Sequence, residues 1–391
     1  METKIKSRRQ FLRFAGLSAL GLSLQTTRRT LLPPPQETGS RLVYVGTYTT
    51  GRSEGIYVCR LDLSSGELRG IDVAKGVVNP SFLTIDRQRR YLYAVNEVKE
   101  FEHKATGAIS SFGVDQRTGK LHSLNQQPSA GSGPCHLTLD ATGKFLLVAN
   151  YDGGSVAVLP VIKGSLGAPV DMVQHQGSSV NPDRQQGPHA HCVALDLANR
   201  YLFVTDLGLD KIVIYGFDSR SGKLKASNER WAKLRPGAGP RHFKFHPSGE
   251  LGYVINELDS TITAFKYDGA RGVLQEVQTV STLPADFSGQ NSCAEIDVAP
   301  SGKFLYGSNR GHDSIVVFSV NQRTGRLGLV QHVSTEGKTP RNFAIDPAGD
   351  FLLAANQNSN NVVTFRIDRQ LGKLSPTGHA VEIPTPVCVV M

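Results

Sequence analysis

Apolar and polar residues alternate along this chain in short runs broken by Gly, Pro, Asn and Asp, and the stretch 239–268, GPRHFKFHPSGELGYVINELDSTITAFKYD, carries the pattern in full. Aromatic and β-branched residues with a period of two at 243–245, 253–255 and 261–267 predict three strands, because a pleated backbone sends successive side chains to opposite faces. Turns are predicted at Pro247, Ser248 and Gly249, after Asn256 and Glu257, and at Asp268 and Gly269, all residue types that favour tight turns. No helical period competes, so the elements are antiparallel strands joined by hairpins.

The same layout recurs from residue 41 to the C-terminus, the mark of a repeat architecture. Taking the start of each inner strand as an anchor gives Pro80, Pro134, Ala190, Pro240, Cys293, Pro340 and Pro386, spaced 46 to 56 residues apart. The second strand then reads YLYAVNE, FLLVANY, YLFVTDL, LGYVINE, FLYGSNR and FLLAANQ, and the turn before the outermost strand reads DQRTGKL, DSRSGKL, NQRTGRL and DRQLGKL. Six complete units begin at residue 80. The segment before them, with RLVYVGTYT and GIYVCRLDLSSGELRGIDV, supplies strands two, three and four, and the C-terminal PTPVCVV supplies the missing first strand. The predicted fold is all-β: a seven-bladed β-propeller over 39–391, closed by N- and C-terminal strands in one blade, which leaves only short protected edges.

In such a blade the anchor and the end of the second strand lie on one face. The turns of the opposite face keep a nearly constant length, whereas insertions at 99–107, 171–189 and 284–291 all fall on the first face, and one-sided elaboration of a repeat marks its binding face. Sixteen residues after each anchor stands Asn96, Asn150, Asp206, Asn256, Asn309 or Asn356, a repeated side chain suited to bonding backbone at the strand end. The next position varies in kind: Tyr48, Glu97, Tyr151, Leu207, Glu257, Arg310 and Gln357. So does the position just after the anchor: Ser81, Cys135, His191, Arg241, Ala294 and Arg341. A place that recurs while its chemistry changes is the best signal of a site.

His191, Arg241, Glu257 and Arg310 come from three consecutive blades and form the candidate catalytic set. An imidazole beside a carboxylate can serve as a general base, and two guanidiniums can hold an anion and a developing oxyanion. The same residues also fit a structural ion pair with a satisfied histidine. Tyr151, Arg341 and Gln357, with His136, His189, His242 and Glu295, make a candidate substrate-binding set; His136 and His242 also suit inner-strand packing, while a carboxylate at Glu295 is harder to read as core. His189 and His191 form a His-x-His pair without a third ligand at metal spacing, so no metal is expected. Gly51 to Gly55, GRSEG, matches a nucleophile-elbow pattern but falls in a hairpin loop rather than a strand-to-helix turn.

Composition changes this picture at the N-terminus. Residues 7–13, SRRQFLR, followed by the apolar run 14–24, form a twin-arginine export pattern, too short to remain as a membrane helix. Residues 1–38 are expected to be signal and linker, with the mature protein in the periplasm or outside the cell and not stably inserted in a membrane. The formal charge is +9, of which +6 lies before residue 30, leaving about +3 on the propeller with its charges interspersed; nucleic acid is excluded as a partner. The cysteines Cys59, Cys135, Cys192, Cys293 and Cys388 are odd in number and widely spaced, as expected of buried thiols.

GTYTTGRSEGIYV, GPHAHCVALD, the GPRH to NELDS block, SNRGHDSIVVF and TPRNFAIDPAGDFLLAANQNSNNV resemble the seven-bladed propeller lactonase family, of the 6-phosphogluconolactonase and carboxy-muconate cyclase type, from about residue 41 to the end. The resemblance implies lactone chemistry on a small molecule without a firmly required cofactor, with the family's active-site His, Arg, Glu and Arg at His191, Arg241, Glu257 and Arg310; a monomer is expected. The expected activity is opening of a sugar lactone to its acid by general-base attack of water. Export argues for a lactone other than the cytosolic 6-phosphogluconolactone. The alternatives are a non-catalytic propeller that binds a sugar or protein partner on the same face, and a muconate-type cycloisomerase.

Overall fold

A computed structural model describes residues 39–225 and 231–391, so the export pattern lies outside the described residues. Every regular element among them is a strand, and the strands form seven antiparallel sheets arranged as a β-propeller. Blade 1 has Pro386–Val390 innermost, followed by Ser40–Thr47, Gly55–Asp62 and Leu68–Lys75. The inner strands of blades 2 to 7 are Leu83–Ile85, Pro134–Leu139, Ala190–Leu195, Pro240–Phe245, Ser292–Val298 and Pro340–Ile345. The first and last described strands thus meet in blade 1, with Val45 opposite Val389 and Gly46 opposite Cys388. Gly46 is needed at this seam: a Cβ there would stand 2.3 Å from the Pro80 carbonyl oxygen of blade 2.

The core lies between blades. Among the described residues seven apolar clusters each join adjacent sheets, such as Val43, Leu61 and Val389 of blade 1 with Phe351, Leu353 and Val362 of blade 7. Each fully buried side chain of this size contributes about 2 kcal/mol, and period-two alternation supplies both faces of every sheet. The strand-end amides act as scaffold: Asn96, Asn150, Asn309 and Asn356 donate from Nδ2 to the carbonyls of Val78, Ser129, Thr282 and Thr335. Asn256 differs, donating to the Thr261 and Thr263 hydroxyls.

Two features depart from the sequence reading. Asp171–Gln174 is an outer strand paired with Ser155–Ile162, so the insertion of blade 3 begins after residue 174; four residues are too short a run to reveal a period. The second departure shapes the site. The inner strands carry a bulge at Pro134/His136, Ala190/Cys192, Pro240/His242 and Pro340/Asn342, which drops the residue after the anchor out of the ladder. In blade 6 the shift runs from Cys293 to Ile296 and releases both Ala294 and Glu295. A regular strand would send consecutive side chains to opposite faces; the bulge turns both toward the axis.

Candidate active site

Two tiers of side chains result. The upper tier holds the residues just after the anchors with those that follow the strand-end amides. Arg241 Nη1 donates to Glu257 Oε2 at 2.8 Å and also to His191 Nε2, while its Nε donates to the Ala294 carbonyl at 3.0 Å. Arg310 Nη2 lies 2.9 Å from the same Glu257 oxygen and donates to the Cys293 carbonyl at 2.7 Å. Arg184 reaches in from the blade 3 insertion, donating from Nη2 to Glu257 Oε1 at 2.7 Å and to Tyr151 Oη at 3.1 Å. Glu257 is therefore clamped by three guanidiniums. Exposure grades across them, from 4% at Arg241 through 13% at Arg310 to 41% at Arg184, so Arg310 and Arg184 present their faces to the mouth.

The opposite half of the mouth is built from Tyr48, Ser81, Glu97 and Arg341. Tyr48 Oη donates to Glu97 at 2.9 Å, accepts from Arg341 Nη2 at 2.8 Å, and has that guanidinium over its ring; Ser81 Oγ donates to the same carboxylate. Four guanidiniums thus face two carboxylates in one mouth, a surplus of positive charge in a partly dehydrated site. Burial works against the Glu257 carboxylate, but Arg310, Arg241 and Arg184 outweigh it and hold the group well below the usual range. Burial lowers Arg310, Glu257 opposes, and Arg241 and Arg341 add to the lowering, to about 10; the group stays charged at neutral pH. Burial and then Arg241 push His191 well below its ordinary value, so it is neutral.

The lower tier holds the residues two after the anchors. His242 Nδ1 lies 3.0 Å from Glu295 Oε1, and Glu295 also accepts from the Ile296 amide at 3.0 Å and from Asn342 Nδ2. His136 packs tilted against Phe82 with 4.1 Å between ring centroids, and His242 makes edge contact with both His136 and His191 at 5.3 Å.

The family described as a seven-bladed β-propeller lactonase matches this chain over residues 42–391. The chain belongs to that family. Among its relatives, a protein of Bacillus subtilis (strain 168) named 6-phosphogluconolactonase is 39% identical over 78% of this chain and 84% of its own length. One of the same name from Formosa agariphila is 38% identical over 78% of this chain and 86% of its own. A solved structure described as the periplasmic gluconolactonase of Pseudomonas aeruginosa matches with a TM-score of 0.84 and 36% identity, covering 90% of this chain and 98% of that one.

Within this lactonase-family propeller, the structure brings His191, Arg241, Glu257 and Arg310 together as the register predicts, with one difference in wiring. Of the two roles open to Glu257, orienting His191 or orienting the water, the first is not seen: Arg241 stands between them, and it is the guanidinium that occupies the His191 lone pair. Tyr151 and His189 lie at the rim, stacked at 4.4 Å, with His189 Nδ1 3.0 Å from the Tyr151 carbonyl. Arg341 belongs to the facing half, and Gln357 is half-buried beside it in blade 7. His136, His242 and Glu295 sit in the lower tier, not at the mouth. Arg184 was missed. Its loop is one of the insertions on the binding face, but a lone arginine inside an insertion has no register to expose it; Tyr48 and Glu97 stand at variable positions of the register.

Other candidates fall away. Among the described residues no three His, Cys, Asp or Glu converge as metal ligands. Ser53 of GRSEG is 2.6 Å from Thr47 Oγ1 inside the hairpin loop of blade 1, where its hydroxyl is paired with another hydroxyl. All five cysteines are buried and free. A groove of about 440 Å³ between blades 2 and 3 lies on the opposite face; its carboxylates are consumed by turns, Asp86 accepting the Arg90 and Tyr91 amides and Asp140 those of Lys144 and Phe145.

The three axial histidines make a prediction about acid. Burial is the first cause that lowers His136, His191 and His242 in the folded state. As pH falls, the unfolded chain therefore takes up these protons first. Their contribution is fully present above about pH 6.5 and declines below it. The expected loss is about 1 kcal/mol per pH unit for each histidine, beginning well above the carboxylate range. Urea midpoints at pH 7.5, 6.5 and 5.5 check it: a flat stability across this interval would contradict neutral burial.

Proposed function

We propose that this chain hydrolyses a sugar lactone to its aldonic acid by attack of water, outside the cytoplasm. The observation that carries the reading is the clamp of three guanidiniums on Glu257 in a mouth with surplus positive charge, in a chain of a lactonase family. Water adds to the lactone carbonyl carbon and the carbonyl oxygen takes the negative charge. Arg310 and Arg241 neutralise that charge, and preorganised donors of this kind are worth roughly 3 kcal/mol each. Collapse breaks the ring C–O bond, the ring oxygen leaves as a hydroxyl, and the product acid releases one proton. Arg184, at the exposed rim, binds ground state and transition state alike. His191, with its lone pair committed to Arg241, holds that guanidinium in place. Export rests on the twin-arginine pattern at 7–13 and on a relative described as periplasmic.

The test is pH-stat titration of gluconolactone, 6-phosphogluconolactone and a muconolactone with protein recovered from the periplasmic fraction. Turnover of a sugar lactone is expected, with Arg184→Ala raising KM roughly tenfold at little cost in kcat. Rates equal to spontaneous hydrolysis across the panel would leave a binding propeller. Turnover of the muconolactone alone would favour the cycloisomerase, and activity confined to the cytoplasm would overturn export.

A further inference from the structure

The side chains of the mouth lie on two arcs of one ring. One arc runs from Cys135 of blade 3, whose Sγ donates to the His191 carbonyl at 3.3 Å, through His191 and Arg241 to Glu257 and Arg310. The other runs from Arg341 of blade 7 through Tyr48 of blade 1 to Glu97 and Ser81 of blade 2. Counting donors and acceptors separates the two. On the first arc Glu257 is filled by three guanidiniums, and what remains to face the opening is N–H. On the second, the Tyr48 and Ser81 hydroxyls both give their protons to Glu97. A carboxylate has about four lone-pair positions, so Glu97 keeps acceptor capacity. It is half-buried and, among the described residues, takes part in no ion pair.

We infer that Glu97 selects hydroxyl-bearing lactones by accepting hydrogen bonds from the sugar hydroxyls while the carbonyl oxygen lies toward Arg310 and Arg241, an inference that rests on the lactone-hydrolase reading. A carbonyl oxygen can only accept and belongs with the donors of the first arc; a hydroxyl can donate, and only a donor completes Glu97. A cationic donor is disfavoured, because Arg341 stands one hydroxyl away, bonded to Tyr48 at 2.8 Å. A carboxylate substituent, as on a muconolactone, is disfavoured too: it brings like charge and nothing to donate. Arg341 makes one hydrogen bond among the described residues, and its other N–H groups are donors for the oxygen of a substrate hydroxyl. A hydroxyl, donor and acceptor at once, satisfies Glu97 and Arg341 together.

The acceptor is held in place from behind. Asn79, in the left-handed region at φ 41°, ties together the two strand ends that carry this arc. Its Oδ1 accepts the amide of Thr49, the neighbour of Tyr48, at 2.9 Å, and its Nδ2 donates to the Glu97 carbonyl at 3.2 Å. The Glu97 amide donates in return to the Asn79 carbonyl at 3.1 Å. With its backbone fixed and two hydroxyls on its carboxylate, Glu97 has little freedom left to lose when a ligand binds. A preset acceptor of this kind penalises an analogue that lacks the hydroxyl, because the acceptor is then left unpaired.

The experiment compares the wild type, Glu97→Gln and Tyr48→Phe on gluconolactone and on δ-valerolactone, the same ring without hydroxyls, each rate taken relative to spontaneous hydrolysis. In Glu97→Gln, kcat/KM on gluconolactone is expected to fall roughly 10- to 100-fold, the worth of hydrogen bonds to a charged group. The fall on δ-valerolactone is expected to be much smaller, so the preference for the sugar lactone shrinks by about tenfold or more. Tyr48→Phe, which leaves the carboxylate in place, is expected to shrink it by a smaller factor. Inhibition by muconolactone is expected to tighten in Glu97→Gln, a gain that misfolding cannot produce. Equal losses on both lactones or no loss on either in folded Glu97→Gln would overturn the assignment, as would muconolactone inhibition no tighter than in the wild type. If neither variant folds, the wild type decides: gluconate is expected to inhibit about tenfold or more tightly than 5-hydroxypentanoate, and equal inhibition would overturn the selection of hydroxyls. A wild type that opens no lactone fails the hydrolase reading itself, whereas turnover with an undiminished preference in the variants sinks only the role of Glu97.

Discussion

If the proposed hydrolysis holds, Glu257→Gln is expected to lower turnover of the sugar lactone by roughly 10²- to 10³-fold, because Arg241 and Arg310 lose the group that aims them. The carboxylate is 5% exposed and receives Arg241 and Arg310 on one oxygen and Arg184 on the other. Glutamine keeps the volume but offers a single neutral acceptor and turns an N–H₂ toward cations. Arg241, itself 4% exposed, is then a buried charge without its counter-ion, and removing one partner of such a pair costs about 3–5 kcal/mol. Stability should fall together with kcat, read as a lower urea midpoint. Added phosphate should restore the midpoint in the variant more than in the wild type, since an anion can stand in for the missing carboxylate. Unchanged kcat and unchanged midpoint would mean that the clamp is neither structural nor catalytic.

Removing residues 386–391 is expected to open the ring. Pro386–Val390 is the innermost strand of blade 1, and it closes cores on both sides: Cys388 with blade 2 and Val389 with blade 7. Val387, Cys388 and Val389 are all buried, and their burial at about 1.5–2 kcal/mol each adds to the ladder bonds with Ser40–Thr47. The sum is on the order of 5–10 kcal/mol, against a total stability of about 5–15 for a typical domain. The deletion also bares the apolar edge of Ser40–Thr47, a template for pairing with other chains. Size-exclusion chromatography should show aggregates, and adding the peptide PVCVVM in trans should recover monomer. A monomeric truncation with unaltered melting would contradict closure by this strand.

The fold was legible because a propeller is a local repeat. Each blade needs its own period-two strands and its own Gly, Asn or Asp turns, so the pattern is written seven times, and blade 1 betrays its shared origin by lacking a first strand next to the N-terminus. The site was legible by a different route: the repeat itself acts as a control, and positions where chemistry changes within a constant register singled out His191, Arg241, Glu257 and Arg310. Arg184 escaped this comparison because an inserted loop has no counterpart in the other blades. The outer strand Asp171–Gln174 of blade 3 escaped because a run of four residues is too short to show a period.

The sequence by itself therefore determined the all-β repeat, its closure and most of the residues that gather around the mouth, since all of these depend on neighbours within one blade. Wiring between blades was decided by tertiary structure alone. The bulge after each anchor, which turns two consecutive side chains to the axis, leaves no trace in a pattern of alternating polarity. Whether the His191 lone pair meets Glu257 or Arg241, and whether His242 keeps a bare nitrogen, depends on distances of a few ångströms between residues some fifty positions apart. Hydrogen bonds act only over that range, so the partners are set by how neighbouring blades pack rather than by any local property of the chain.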